Sequence, residues 1–186
     1  MAIFFTADHH FGHSNIIKFE NRPFENSYYM DEAMIKKWNE KVSEKDKVYH
    51  LGDVSLKSPK HTRPILDRLN GRIYLIRGNH DKSACKPECA DRFEWIKDYH
   101  FLKVPNGPMI VLMHYCLRVW DRKHYGTWHL YGHSHSNLPE IEGELAVNVG
   151  VDCWDFAPVS LNEIAKKMEE KKPAWEERKR NRKAPT

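Results

Sequence analysis

Five short apolar runs in this chain each end on side chains that can hold a metal ion. Ala2–Ala7 runs into Asp8-His9-His10, Lys47–Leu51 into Gly52-Asp53, and Arg72–Ile76 towards Gly78-Asn79-His80-Asp81. Met109–Met113 stops at His114, and Trp128–Tyr131 stops at Gly132-His133-Ser134-His135. Runs of this length and composition, bounded by turn residues, read as buried strands. In open α/β sheets the carboxyl ends of the strands face one crevice, so ligands placed there converge. Residues i and i+2 share a strand face, so Asp8 with His10, and His133 with His135, can aim at one point. Glycine before the ligand lets the backbone turn tightly.

The rest of the chain supplies the layers around such strands. Met30, Met34, Trp38 and Val42 make one apolar helical stripe, which predicts a helix over about 30–42. Two shorter helices are expected at Pro64–Leu69 and Leu161–Met168, the second opened by a Ser160/Glu163 capping box. Glu144–Val149 reads as a late strand with no ligand at its end. Strands alternate with helices in the first half and dominate the second, so the fold class is α/β with a mixed or double sheet. A length of 186 residues fits one domain with a real core. No apolar stretch reaches about 18 residues, so no membrane-spanning helix is expected. The N-terminal run lacks a basic flank and is too short for an export signal. A cytoplasmic protein with reduced thiols at Cys85, Cys89, Cys116 and Cys153 is therefore expected.

The net charge of +4 is unevenly spread. Residues 171–186 hold seven basic and two acidic residues, against 23 and 24 in residues 1–170. The expected division is a domain over 1–170 and a basic C-terminal tail over 171–186. Such a tail is either a solvated end or an arm that seeks nucleic acid, with Trp175 as a stacking face.

The ligand set mixes imidazole, carboxylate and amide oxygen, which suits zinc, iron, nickel or manganese, with magnesium open to the carboxylates. There are more ligands than one tetrahedral ion takes. Two divalent ions sharing a carboxylate would use them, and such a pair can clamp both oxygens of a phosphoryl displacement.

The blocks Asp8/His10, Gly52-Asp53, Gly78-Asn79-His80-Asp81, His114 and Gly132-His133-Ser134-His135 together resemble the calcineurin-like metallophosphoesterases. The segments His10–Ile17, Asn21-Arg22-Pro23-Phe24, Val48–Asp53, Asn148–Asp152 and Pro158–Ser160 are similar to a small bacterial and phage subgroup of that family. The likeness covers most of residues 2–168. One departure is Cys116, where relatives often carry proline.

The resemblance implies a two-sheet β-sandwich flanked by helices. It implies one ion on Asp8, His10, Asp53 and His135, and a second on Asp53, Asn79, His114 and His133, with Asp53 bridging. It implies hydrolysis of a phosphoester by a hydroxide held between the ions, and the basic tail together with the phage-like subgroup points to a nucleotide or nucleic-acid type of substrate. A small-molecule phosphomonoesterase and a non-catalytic scaffold or nucleic-acid binder are the alternatives. His80 is not a ligand in the family motif and is expected to protonate the leaving oxygen. Asp81 either orients His80 or caps its own loop. His13 is expected to line the substrate cleft. Arg22 is expected either to grip a substrate phosphate or to form a structural ion pair.

Overall fold

A computed structural model describes residues 1–181 of the chain. Its strands are β1 (Ile3–Thr6), β2 (Lys47–His50), β3 (Arg72–Ile76), β4 (Phe93–Lys97), β5 (Tyr99–Lys103), β6 (Met109–Met113), β7 (Trp128–Tyr131), β8 (Ala146–Asn148) and β9 (Val159–Ser160). Its helices are α1 (Ser14–Phe19), α2 (Ser27–Lys41), α3 (Pro59–Leu66), α4 (Pro87–Ala90) and α5 (Leu161–Asn181). The strands form two sheets, ordered β4-β3-β2-β1-β9 and β5-β6-β7-β8. β1 to β4 run parallel, as do β6 to β8, while β9 and β5 close one edge of each sheet antiparallel.

The alternation of side chains builds two cores. In β1, Phe5 enters a cluster with Leu51, Tyr74, Ile76, Leu112, Leu130 and Val147, which lies between the sheets. Phe4 enters the other cluster with Val48, Ile73 and Leu75, covered by Met30, Met34 and Trp38 of α2 and Leu66 of α3. This is the mixed α/β, two-sheet architecture flanked by helices that the resemblance implied.

Several expected boundaries move. α2 starts three residues early because the Asn26 side chain accepts from the amides of Tyr28 and Tyr29, a true N-cap. α3 runs over Pro59–Leu66, so Pro59 opens it and Pro64 lies inside it. The Ser160/Glu163 capping box forms as expected, with Ser160 donating to Glu163 and the Glu163 amide donating back to Ser160 at 3.2 Å. α5 then continues through Pro173 to Asn181, so the expected boundary at residue 170 falls inside a helix. Within it Trp175 packs on the inter-sheet core, Lys171 pairs with Glu140 and Arg178 pairs with the buried Glu144. The last part of the expected tail, 182–186, lies outside the described residues. All four cysteines are free thiols. Among the described residues no helix is long and apolar enough to cross a membrane.

Candidate metal centre

The parallel strands deliver the expected ligands to one place. Asp8 and His10 follow β1, Asp53 follows β2, Asn79 follows β3, His114 follows β6, and His133 and His135 follow β7. Two groups of ligand atoms, each within 4.8 Å, could hold an ion: Asp8, His10 and Asp53, and Asp53, His114 and His133. Asp53 belongs to both. One of its carboxylate oxygens lies 3.6 Å from the Nε2 of His10 and 3.6 Å from the Nε2 of His114. The Oδ1 of Asn79 lies 3.0 Å from the same His114 nitrogen. The His135 ring stacks on that of His10 at 5.2 Å.

The backbone turns sharply to achieve this. Asp8, His10, Asp53, His133 and His135 all adopt left-handed φ angles, between 47° and 67°. Such angles are uncommon for residues with a side chain and cluster at functional sites. Close approach adds a second constraint. A Cβ on Gly52 would lie 2.6 Å from the amide nitrogen of Gly78 and from the His114 ring. A Cβ on Gly132 would lie 2.8 Å from the Asp8 carboxylate.

The residues present fit cations. Both ring nitrogens of His10 are buried without a hydrogen-bond partner. Burial drives that ring's pKa down to about 2, so it stays neutral with a free lone pair. His114 donates Nδ1–H to the Leu51 carbonyl at 2.7 Å, which leaves Nε2 as a lone pair. That lone pair faces an amide oxygen and a carboxylate, three acceptors with no donor between them. Burial also pushes the Asp8 carboxyl up to about 8, against its hydrogen bonds from the His133 amide. A divalent ion would satisfy each of these groups.

The other expected site residues divide. The exposed His80 stands at the mouth, its ring 5.5 Å from that of His10, and its amide donates to Asp53 at 2.9 Å. His13, half-buried, lies 5.7 Å from His10, ring to ring. The Asp81 carboxylate makes no hydrogen bond to the His80 ring. Its buried carboxylate accepts from the backbone amides of Gly78, Asp53 and Val54 at 2.8–2.9 Å, which makes it the clamp between the two ligand loops. Arg22 is not free to grip a phosphate either. Its buried guanidinium binds Asp152 bidentately at 2.8 and 2.9 Å and donates to the carbonyls of Asp8 and His9.

Sequence reasoning passed over Asp152 and Tyr115. Asp152 accepts from the Nδ1 of His135 at 2.7 Å, which frees Nε2 of that ring to face an ion. It sits just beyond β8, the one strand expected to carry no ligand at its end. Tyr115 packs its ring 4.7 Å from His133 and 4.9 Å from His114, and adjacency to His114 was its only signal.

Comparison with known proteins agrees with this geometry. A family model described as a calcineurin-like phosphoesterase superfamily domain matches residues 1–161. The chain is 36% identical to the uncharacterized protein MJ1445 of Methanocaldococcus jannaschii, over 91% of this chain and 93% of that protein. It is 30% identical to the Gene 66 protein of Mycobacterium phage D29, over 90% and 98% of the two chains. Among solved structures, a protein of unknown function from Aquifex aeolicus, AQ665, superposes with a TM-score of 0.72. It is 25% identical, over 89% of this chain and 98% of that one.

Proposed function

The chain belongs to the calcineurin-like phosphoesterase superfamily, and from that premise we propose that it is a metal-dependent phosphodiesterase for nucleotide or nucleic-acid phosphoesters. The observation that carries the reading is the sharing of Asp53 between two ligand groups, since one carboxylate common to two sites is what a pair of ions requires. In this reading Asp8, His10, Asp53 and His135 hold one ion, and Asp53, Asn79, His114 and His133 hold the other. Bound there, two divalent cations supply an acidified water and Lewis acidity towards the phosphoryl oxygens.

The protein's own groups do the remaining work. His80 is exposed beside the ligands, where it can give a proton to the departing oxygen. His13 lies beside His10 and Tyr115 beside His133, where they can form walls that a substrate meets. Asp81 and Arg22 touch no substrate and hold the loops that carry the ligands.

The test is hydrolysis of bis-p-nitrophenyl phosphate by protein loaded with manganese or nickel, set against p-nitrophenyl phosphate. The expected result is turnover with kcat/KM higher for the diester. A higher value for the monoester reverses the substrate assignment. No turnover of either ester by folded, metal-loaded protein overturns the enzymatic reading.

A further inference from the structure

We propose that Arg22 and Asp152 are the positioning residues for one half of the metal centre, the half built from Asp8, His10 and His135. This rests on the metal reading above and extends it to residues that touch neither ion nor substrate.

One guanidinium reaches the surroundings of all three ligands. Its Nη2 donates to the carbonyl of Asp8 at 2.7 Å, and its Nη1 to the carbonyl of His9 at 2.8 Å, the peptide that leads into His10. Its Nε and Nη2 also take both oxygens of Asp152, and one of those oxygens accepts from the His135 ring at 2.7 Å. The Arg22 side chain is 0% exposed and that of Asp152 5%. A buried ion pair of this kind is weak evidence of stability, because desolvation offsets the attraction. Its effect is on direction. The planar fork fixes two carbonyls and a carboxylate at once, which a lysine could not do. Asp152 in turn fixes the tautomer and plane of His135.

The turn that carries Asp152 is arranged around this contact. Asp155 and Phe156 adopt left-handed φ angles of 51° and 58°. Phe156 thereby lies over the guanidinium at 5.9 Å and packs on Phe24 at 5.0 Å, which covers the pair. Lys37 of α2 holds the turn through Asp155 at 2.9 Å. A backbone conformation that is unfavourable for phenylalanine is kept where it seals the Arg22–Asp152 contact.

The other half of the centre has supports of its own besides, although the halves meet at Asp53 and at the His133 amide, which donates to the Asp8 carboxylate. His114 is held by the Leu51 carbonyl, Tyr115 lies against His133, and Asp53 is bound by the His80 amide. Loss of the Arg22–Asp152 pair should therefore be felt more strongly by one ion than by the other.

The experiment is a cobalt(II) titration of the full chain, followed by visible absorption, with far-UV circular dichroism as the check on folding. Wild type should bind two equivalents. Asp152→Asn, which keeps size and shape, and Arg22→Met should each weaken one equivalent by about 10–100-fold and affect the other much less. His133→Ala should weaken the complementary equivalent, so that Asp152→Asn/His133→Ala weakens both. Wild-type binding of both equivalents in Asp152→Asn overturns the proposal. Equal weakening of both also overturns it, since that marks general loosening. Fewer than two equivalents in wild type would instead refute the two-ion reading itself.

Discussion

Asp81 decides between two roles that a carboxylate at this position can play. If it is a clamp, Asp81→Ala leaves the buried amides of Gly78, Asp53 and Val54 with no acceptor. Each orphaned donor costs about 1–3 kcal/mol. Part of that is returned, because the wild-type carboxylate is itself buried at a cost, which raises its pKa despite those three bonds. A net loss of roughly 3–5 kcal/mol is expected. For a chain of this size that lowers Tm by roughly 6–20 °C. The amides belong to the loops that carry Asp53 and Asn79, so metal content should fall with stability. The assay is a thermal melt of the variant beside wild type, with bound metal counted by mass spectrometry. A variant that melts within about 2 °C of wild type, keeps both ions and loses only kcat would refute the clamp. It would reinstate Asp81 as the partner of His80.

Other expectations follow from the same geometry. Asp53→Asn should drop the bound metal from two ions to one or none, read by the same metal count, because an amide bridges two cations poorly. His80→Ala should keep both ions and lower kcat by about 10²–10⁴, most for esters with poor leaving groups. Acid should destabilise the metal-free protein. Burial holds His10, His50 and His129 at about 2, 3 and 4, and His9 well below its ordinary value. For His10, His50 and His129 that contribution is whole above the unfolded value of 6.5 and is lost as pH falls, about 2 kcal/mol each by pH 5, and His9 acts in the same direction. Asp8 and Asp31, raised to about 8 and 6, act in the opposite sense. Unfolding free energies from urea melts should therefore be lower at pH 5 than at pH 7, with equal or higher stability at pH 5 as the contrary result. Truncation after Glu170 should cost about 2–3 kcal/mol by removing Trp175 from the core. An unchanged melt would make this stretch a mere appendage.

The candidate metal ligands were legible because each follows an apolar run, and the parallel sheets turn that one-dimensional pattern into a cluster. β4 and β5 were not, because Phe93–Lys97 and Tyr99–Lys103 mix charged and aromatic residues on half-exposed sheet edges. α1 is six residues long and has no side-chain cap, so nothing local announces it. Pro173 reads as a stop, yet Trp175 and Arg178 find enough tertiary contact beyond it to carry the helix on. Asp152 was hidden for a different reason. It follows β8 through a short 3-10 turn, and its meaning lies in Arg22, 130 positions away. For Arg22 and Asp81 the residue type was informative, but its use depended on which groups the fold brought within 3 Å.

If Asp8, His10, Asp53, His133 and His135 hold ions as proposed, their left-handed backbone ties the stability of this chain to its ion supply. Each such residue costs about 1–2 kcal/mol, so the five together store an amount comparable to the whole stability of an ordinary domain. Without ions the protein carries that strain along with a buried carboxyl and unpartnered imidazoles. Ion binding is therefore also folding free energy. Glycine at any of these positions would relax the backbone and remove a ligand in one step, so a sturdier chain would be a disarmed one. In a cell short of divalent metal, the loss of this protein should begin with its unfolding and proteolysis, ahead of any slowing of its chemistry.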